Sequence, residues 1–285
     1  MSGPNVGRLS DGRFHLQYGP IDLVITADGA DDAVVRAETA MELRFRTILD
    51  ELVGELPALR ADIATDPRPH GDTARLMVAA TSSLHADDFA TSMIAVAGAV
   101  ADTIADVGWA GGSLRRLIVN NGGDIAIRQV REASTIVGMV DDVTTGHVAG
   151  RLHVAGDSGV GGVATSGWGG RSFSFGIADA VTVIARTAAQ ADVAASLIAN
   201  AVDLPGHPSV VRRPARDVKD DSDLGGHYVT CAVGDLGDDE IDQALEAGVA
   251  RAERALLSPF VIGAILCLRG KRRFLLPSTL MVDRP

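Results

Sequence analysis

Leu117-Ile118-Val119-Asn120-Asn121-Gly122-Gly123-Asp124-Ile125-Ala126-Ile127 decides the fold class of this chain. Two short runs rich in β-branched residues flank a pair of glycines between polar side chains, the pattern of a β-hairpin closed by a two-residue turn. Further β-type runs follow at 135–140, 148–155 and 180–185, separated by turn residues rather than by helical crossovers. The order predicts an antiparallel meander and excludes alternating βαβ units. Upstream the period differs. Val34, Val35, Ala37, Met41, Leu43, Phe45, Ile48, Leu49 and Leu52 recur near helical spacing over 31–56, and 73–83 and 87–107 read as two more helices. The second is apolar all round from 89 to 101, so it is expected at the centre of the protein. Gly98 inside it costs about 1 kcal/mol of helix propensity and predicts the close approach of another backbone or a ligand. Between helices, 56–72 carries Pro57, Pro67 and Pro69 and is expected to be irregular. After a polar insertion at 207–226 come strand 228–233, helix 239–257 and strands near 261–268 and 274–276. An α+β protein with mostly antiparallel sheet is expected: one domain over 1–285 in two intimate halves, about 13–113 and 114–285, each a sheet with a pair of helices.

The net charge of −11 argues against a nucleic-acid surface. The basic run Arg269-Gly270-Lys271-Arg272-Arg273 is read as a solvated turn between strands. The polar start of the chain lacks the pattern of a signal peptide, and 89–101 is too short to span a bilayer. Cys231 and Cys267 are 36 positions apart and read as buried apolar residues of a cytoplasmic protein. A small-molecule ligand is the expected partner, with a homo-oligomer left open.

Three stretches carry candidate chemistry. In the turn, Asn121, Gly122 and Gly123 can present a nest of N–H groups to an anion, with Asp124 accepting from hydroxyls or amides, or the glycines can serve the hairpin alone. The segment 156–176 holds eight glycines in 21 residues; Gly167 with Thr165, Ser166 and Ser172 offers donors, Arg171 a cation and Trp168 a stacking face, an arrangement suited to phosphate or carboxylate. Asp192, Ser196 and Asn200 stand at i, i+4 and i+8, within about 80° of arc on an otherwise apolar helix. They read either as hard-cation ligands or, for Asp192, as a cap for a neighbouring loop.

The succession NNGGD, GVATSGWGGRSFSFG and ADAVTVIARTAAQADVAASLIAN resembles the ApbE-like superfamily, whose founding members transfer FMN from FAD to a protein Thr or Ser with Mg²⁺, and resembles most its cytoplasmic, functionally uncharacterised branch. Met93-Ile94-Ala95-Val96-Ala97-Gly98-Ala99 and Asp221-Ser222-Asp223-Leu224-Gly225 extend the likeness over about 23–268. The resemblance implies a T-fold-like architecture. It places a metal at Asp192 and Ser196, a flavin nucleotide such as FAD at Gly122, Gly123 and Asp124, and the Thr-Ser-Gly loop at Thr165, Ser166 and Gly167. Flavin transferases follow that loop with a His-containing segment; here Arg171-Ser172-Phe173-Ser174-Phe175-Gly176 stands instead. Three function classes therefore stay open: phosphoryl-ester cleavage or transfer on FAD, a metal-independent hydrolase-type enzyme acting on a small cyclic or carboxylated substrate, and a noncatalytic flavin carrier. In the first two, Asp124, Thr165, Ser166, Arg171 and Ser172 are the candidate catalytic residues.

Overall fold

The computed structural model describes residues 3–86, 88–146 and 148–283. In chain order its elements are β1 (Asn5–Arg8), β2 (Phe14–Tyr18), β3 (Ile21–Gly29), α1 (Asp31–Gly54), α2 (Leu56–Leu59), α3 (Asp72–Leu84), α4 (Val96–Ala110), β4 (Leu114–Asn121), β5 (Asp124–Gln129), β6 (Ser134–Val140), β7 (Val148–Ala155), β8 (Gly162–Ser166), β9 (Ala180–Ala185), α5 (Ala188–Ala201), β10 (Val210–Pro214), α6 (Ala215–Val218), β11 (Tyr228–Val233), α7 (Asp238–Leu256), β12 (Val261–Leu268), β13 (Lys271–Leu275) and β14 (Met281–Asp283). The main sheet has nine strands in the order β1-β2-β3-β4-β5-β8-β9-β12-β13, every neighbouring pair antiparallel. The fold is α+β, as expected. The division near 113/114 falls between hydrogen-bonded neighbours, β3 and β4, so the sheet passes through it without a break.

Alternation along the strands makes two cores. On β9, Val181, Val183 and Ala185 face the helical layer with Leu117, Ala164 and Leu266. Ala180 and Ile184 face the opposite way, toward Leu152, Val154 and Val137 of a three-stranded sheet ordered β14-β7-β6. Cover on both faces explains why all six β9 residues are buried.

The helices follow their apolar stripes. α1 buries Ala33, Ala37, Met41, Phe45, Ile48 and Leu52, whereas Val35 and Leu43, expected inside, are exposed because they lie on its outer face. The expected helix 87–107 begins late: Asp87 lies outside the described residues, Ser92–Ala95 is a 3-10 turn, and α4 starts at Val96. By length and composition Ser92–Ala110 could cross a membrane; here it packs against α1, α5 and the sheet. The proline-rich connector is not irregular throughout, since Pro57 sits in the first turn of α2, where its missing N–H costs nothing, and Ile63–Thr65 forms a 3-10 turn. β11 joins β10 in a separate ribbon instead of the main sheet. Cys267 is buried as read, but Cys231 is exposed, on that ribbon.

The basic run is a tight turn at Arg269 and Gly270, both with positive φ. Three of its cations are paired, Lys271 and Arg273 each reaching Asp242 at 2.8 Å and Arg272 reaching Asp141 at 2.8 Å, and Arg269 donates to the carbonyls of Val233 and Gly234.

Candidate active site

Helices α4 and α5 meet near their N-termini, and the contact is backbone to backbone. A Cβ on Gly98 would stand 2.3 Å from the Ala188 carbonyl oxygen, which explains the glycine the sequence had singled out. Each helix caps the other. Asp192 on α5 accepts from the Gly98 amide of α4 (2.9 Å), and Asp102 on α4 accepts from the Ala189 amide of α5 (2.8 Å). Carboxylates at helix N-termini are favoured by the unpaired amides and the macrodipole. Of the two readings for Asp192, the capping geometry is present, and its surroundings extend beyond it.

All the polar positions on the α5 stripe, Asp192, Ser196 and Asn200, are half-buried on a helix otherwise nearly sealed. They diverge in use. Asn200 Oδ1 accepts from Ser174 Oγ (3.0 Å) and from the Phe175 amide (2.9 Å), so it anchors the glycine-rich loop and is not a cation ligand. Among the described residues, no protein group bonds the Ser196 hydroxyl.

The turn after β4 has Gly122 and Gly123 at φ 66° and 113°, the positive values that a tight two-residue hairpin needs. It is a structural turn and also a meeting point. A Cβ on Gly122 would lie 1.8 Å from Arg171 Nη2, so the guanidinium rests on the bare glycine. Asn121, expected to contact a nucleotide, is 3% exposed and donates instead to the Ala97 carbonyl at 3.1 Å, tying the turn to the start of α4.

The loop brings less free chemistry than its composition promised. Gly162, Gly167 and Gly176 lie against the backbones of Ala188, Asp179 and Ala199, too close for any Cβ. Those glycines serve packing and not a flexible cradle. Trp168 is pinned by its indole N–H to Asp179 Oδ1 (3.3 Å). The Thr165 hydroxyl pairs with Thr182 across β8 and β9 at 2.9 Å, a role in sheet structure that argues against a free nucleophile. Ser166 ends β8 half-buried; Ser172 and Arg171 are exposed.

The electrostatics single out two carboxyls. Asp124 is raised to about 7, first by loss of solvation, against the pull of the Thr165 amide and the Arg171 charge. Asp192 is pushed well above the usual carboxylate range, first by burial and then by the charge of Asp124. Both are half-buried by area, but protein atoms crowd them enough for desolvation to dominate. Burial also raises Asp102, which has a strong counterion: Arg128 at 3.0 Å, itself bonded to Asp106 at 2.8 Å.

A family model described as AbpE bacteria matches residues 6–274. The chain belongs to this family. It is 34% identical over 223 residues to a UPF0280 protein of Methanopyrus kandleri, covering 76% of this chain and 84% of that one. A UPF0280 protein of Methanocaldococcus jannaschii is 39% identical over 112 residues, 38% of this chain and 43% of that one. The apo crystal structure of the Pseudomonas stutzeri flavinyl transferase ApbE aligns over 96% of both chains at 15% identity with a TM-score of 0.46, a likeness too weak to bear on chemistry.

In this ApbE-like chain the three sequence stretches converge through Gly122 with Arg171, Asp124 with Thr165, and Asp192 with Asp124. Sequence reading missed the Ala97 and Gly98 amides, Asp102 with Arg128, and two rings, Phe89 and His227. Asp102 left a signal, an acidic residue inside an apolar helix. The Ala97 amide left none, and Gly98 was marked for close packing but not as a donor.

Proposed function

We propose that this protein is an ApbE-like enzyme that binds a flavin nucleotide and a divalent cation and cleaves or transfers a phosphoryl ester, as in FMN transfer from FAD. The observation that carries the reading is the meeting of Asp124 and Asp192, two desolvated carboxyls of which the first raises the proton affinity of the second.

The donor set fits a cation that brings its own ligand. Two carboxylates and the unpartnered Ser196 hydroxyl supply hard oxygens, and among the described residues no group of three acidic, His or Cys side chains stands ready to hold an ion without help. Mg²⁺ is held in this way, by one or two carboxylates with substrate phosphates and water. Bound there, it would neutralise the carboxylates and polarise a phosphoryl oxygen. The chain's own part is positioning. Arg171, exposed and in reach of the turn, faces the anionic group; Gly122 lets it lie close; the Asp192 cap fixes the first turn of α4 against the site.

One observation favours the metal-independent alternative. A carboxyl held at about 7 is matched to proton transfer near neutral pH without a metal.

Calorimetric titration of FAD into wild type and Asp192→Asn, with Mg²⁺ and with EDTA, tests the proposal. Mg²⁺-dependent FAD binding by wild type, lost in Asp192→Asn, is expected. Equal binding in EDTA by both proteins would exclude the metal-dependent reading in favour of Asp124 acting alone, and no FAD binding by wild type would exclude the flavin reading.

A further inference from the structure

Three loops that are far apart in sequence put three rings together. The imidazole of His227 stacks on Phe89 with centroids 3.9 Å apart and planes 21° from parallel. Phe175 stands beside both, 5.8 Å from His227 and 6.3 Å from Phe89, tilted by 37° and 46°. Core packing does not account for this. His227 is exposed, and Phe89 and Phe175 are half-buried, so the cluster stands at the surface and keeps part of its ring area open.

The supports under the rings are nevertheless specific. Next to Phe89, Asp88 is held at 2.6 Å by Arg251, a cation only 3% exposed. Thr91 donates to Asp223, which joins the Phe89 segment to the His227 segment. The His227 backbone is fixed by its amide to Leu224 O (3.0 Å) and by Ala215 N to its carbonyl (2.8 Å). Phe175 hangs from Asn200. Loops held by specific polar ties, carrying an exposed imidazole between two half-buried rings, are built to present that imidazole.

The place of the cluster relates it to the site. Asn200, which holds Phe175, lies on the same stripe of α5 as Asp192, eight residues on, or about 12 Å along the axis. Arg171 lies four residues before Phe175, within about 14 Å of extended chain. The anionic end and the ring end of one ligand would therefore be served from one loop and one helix face. Trp168, the ring expected to stack, has its indole N–H engaged by Asp179.

We propose that His227, backed by Phe89 and walled by Phe175, is the stacking platform for the planar heteroaromatic ring of the ligand whose anionic group faces Arg171. The inference rests on the nucleotide reading above and names the ring-binding end of that site. Phe89 covers one face of the imidazole; the other takes the ring, as aromatic side chains take nucleobases.

Titrations of wild type, His227→Ala, His227→Phe and Arg171→Gln with FAD, FMN, ADP and pyrophosphate, each with Mg²⁺, test it. His227→Ala is expected to weaken FAD by about tenfold or more with pyrophosphate unchanged, and His227→Phe to restore FAD. FMN and ADP decide whether the flavin or the adenine ring occupies the platform. Arg171→Gln should weaken all four ligands. FAD binding wild type and His227→Ala alike would overturn the platform and leave the nucleotide reading standing. FAD failing to bind wild type would overturn both. A pyrophosphate loss in His227→Ala equal to the FAD loss would also overturn the platform, by showing an effect on loop structure. Thermal melts of each variant confirm that the fold is intact, as an exposed side chain implies.

Discussion

Asp102 and Asp192 occupy matching places in two crossing helices, each four residues or so beyond the other's bonded amide, and each caps the partner helix. Their surroundings differ. Arg128 reaches Asp102 at 3.0 Å, and Asp102 is 1% exposed; the carboxylate has everything it needs from the protein. Asp192 has amides and, for company, another carboxyl. A buried charge without a counterion costs several kcal/mol or keeps its proton. The Asp102 side of the crossing is therefore finished as structure, and the Asp192 side is left in need of a cation or a proton. That difference separates a structural cap from a candidate site more sharply than residue type does.

Removing the finished side's counterion should have the largest effect. Arg128→Met leaves Asp102 buried and unpaired and is expected to lower stability by about 3–5 kcal/mol, read from urea unfolding. Adding Asp102→Asn should recover much of the loss; an Arg128→Met protein as stable as wild type would break the comparison.

At the crossing point, Gly98→Ala is expected to destabilise by about 1–3 kcal/mol. Helix propensity favours Ala by about 1 kcal/mol, but the added Cβ meets the Ala188 carbonyl oxygen at 2.3 Å, and two backbones have no rotamer to yield. A rise in melting temperature would show that the helices do not touch there.

The pH dependence should come from the unfinished side. Asp124 titrates at about 7 in the fold against an ordinary 3.8, so between those values the folded protein holds a proton that the unfolded chain has lost. Stability from this group is therefore full below about pH 4 and is lost as pH rises through 7. In EDTA, wild type should melt lower at pH 8 than at pH 5, Asp124→Asn should flatten the difference, and Mg²⁺ should offset it. A melting temperature that rises over that range would contradict the assignment.

The smallest effect on folding is expected for Asp192→Asn, within about 1 kcal/mol of wild type, because the amide oxygen still accepts from Gly98. A loss like that of Arg128→Met would mean that Asp192 is as much a structural charge as Asp102.

The sequence alone determined the fold class, because hydrophobic period is local: the hairpin around Gly122 and Gly123, the apolar stripe of α1 and the buried run of α4 need no distant partner to be read. It also marked Gly98 and the Asp192 stripe, since a glycine or a carboxylate among apolar residues is out of place wherever it occurs. Only the tertiary structure decided what each group does. Asn121 and Asn200 looked like ligand contacts and are ties, five or more residues of the glycine-rich loop looked free and are packed, and His227 came to Phe89 and Phe175 from another part of the chain. Asp102 and Asp192 look equally anomalous as letters. They differ because charge is settled by the partner in space: Arg128, 26 residues from Asp102 in the chain, reaches one carboxylate, and among the described residues no ion pair settles the other.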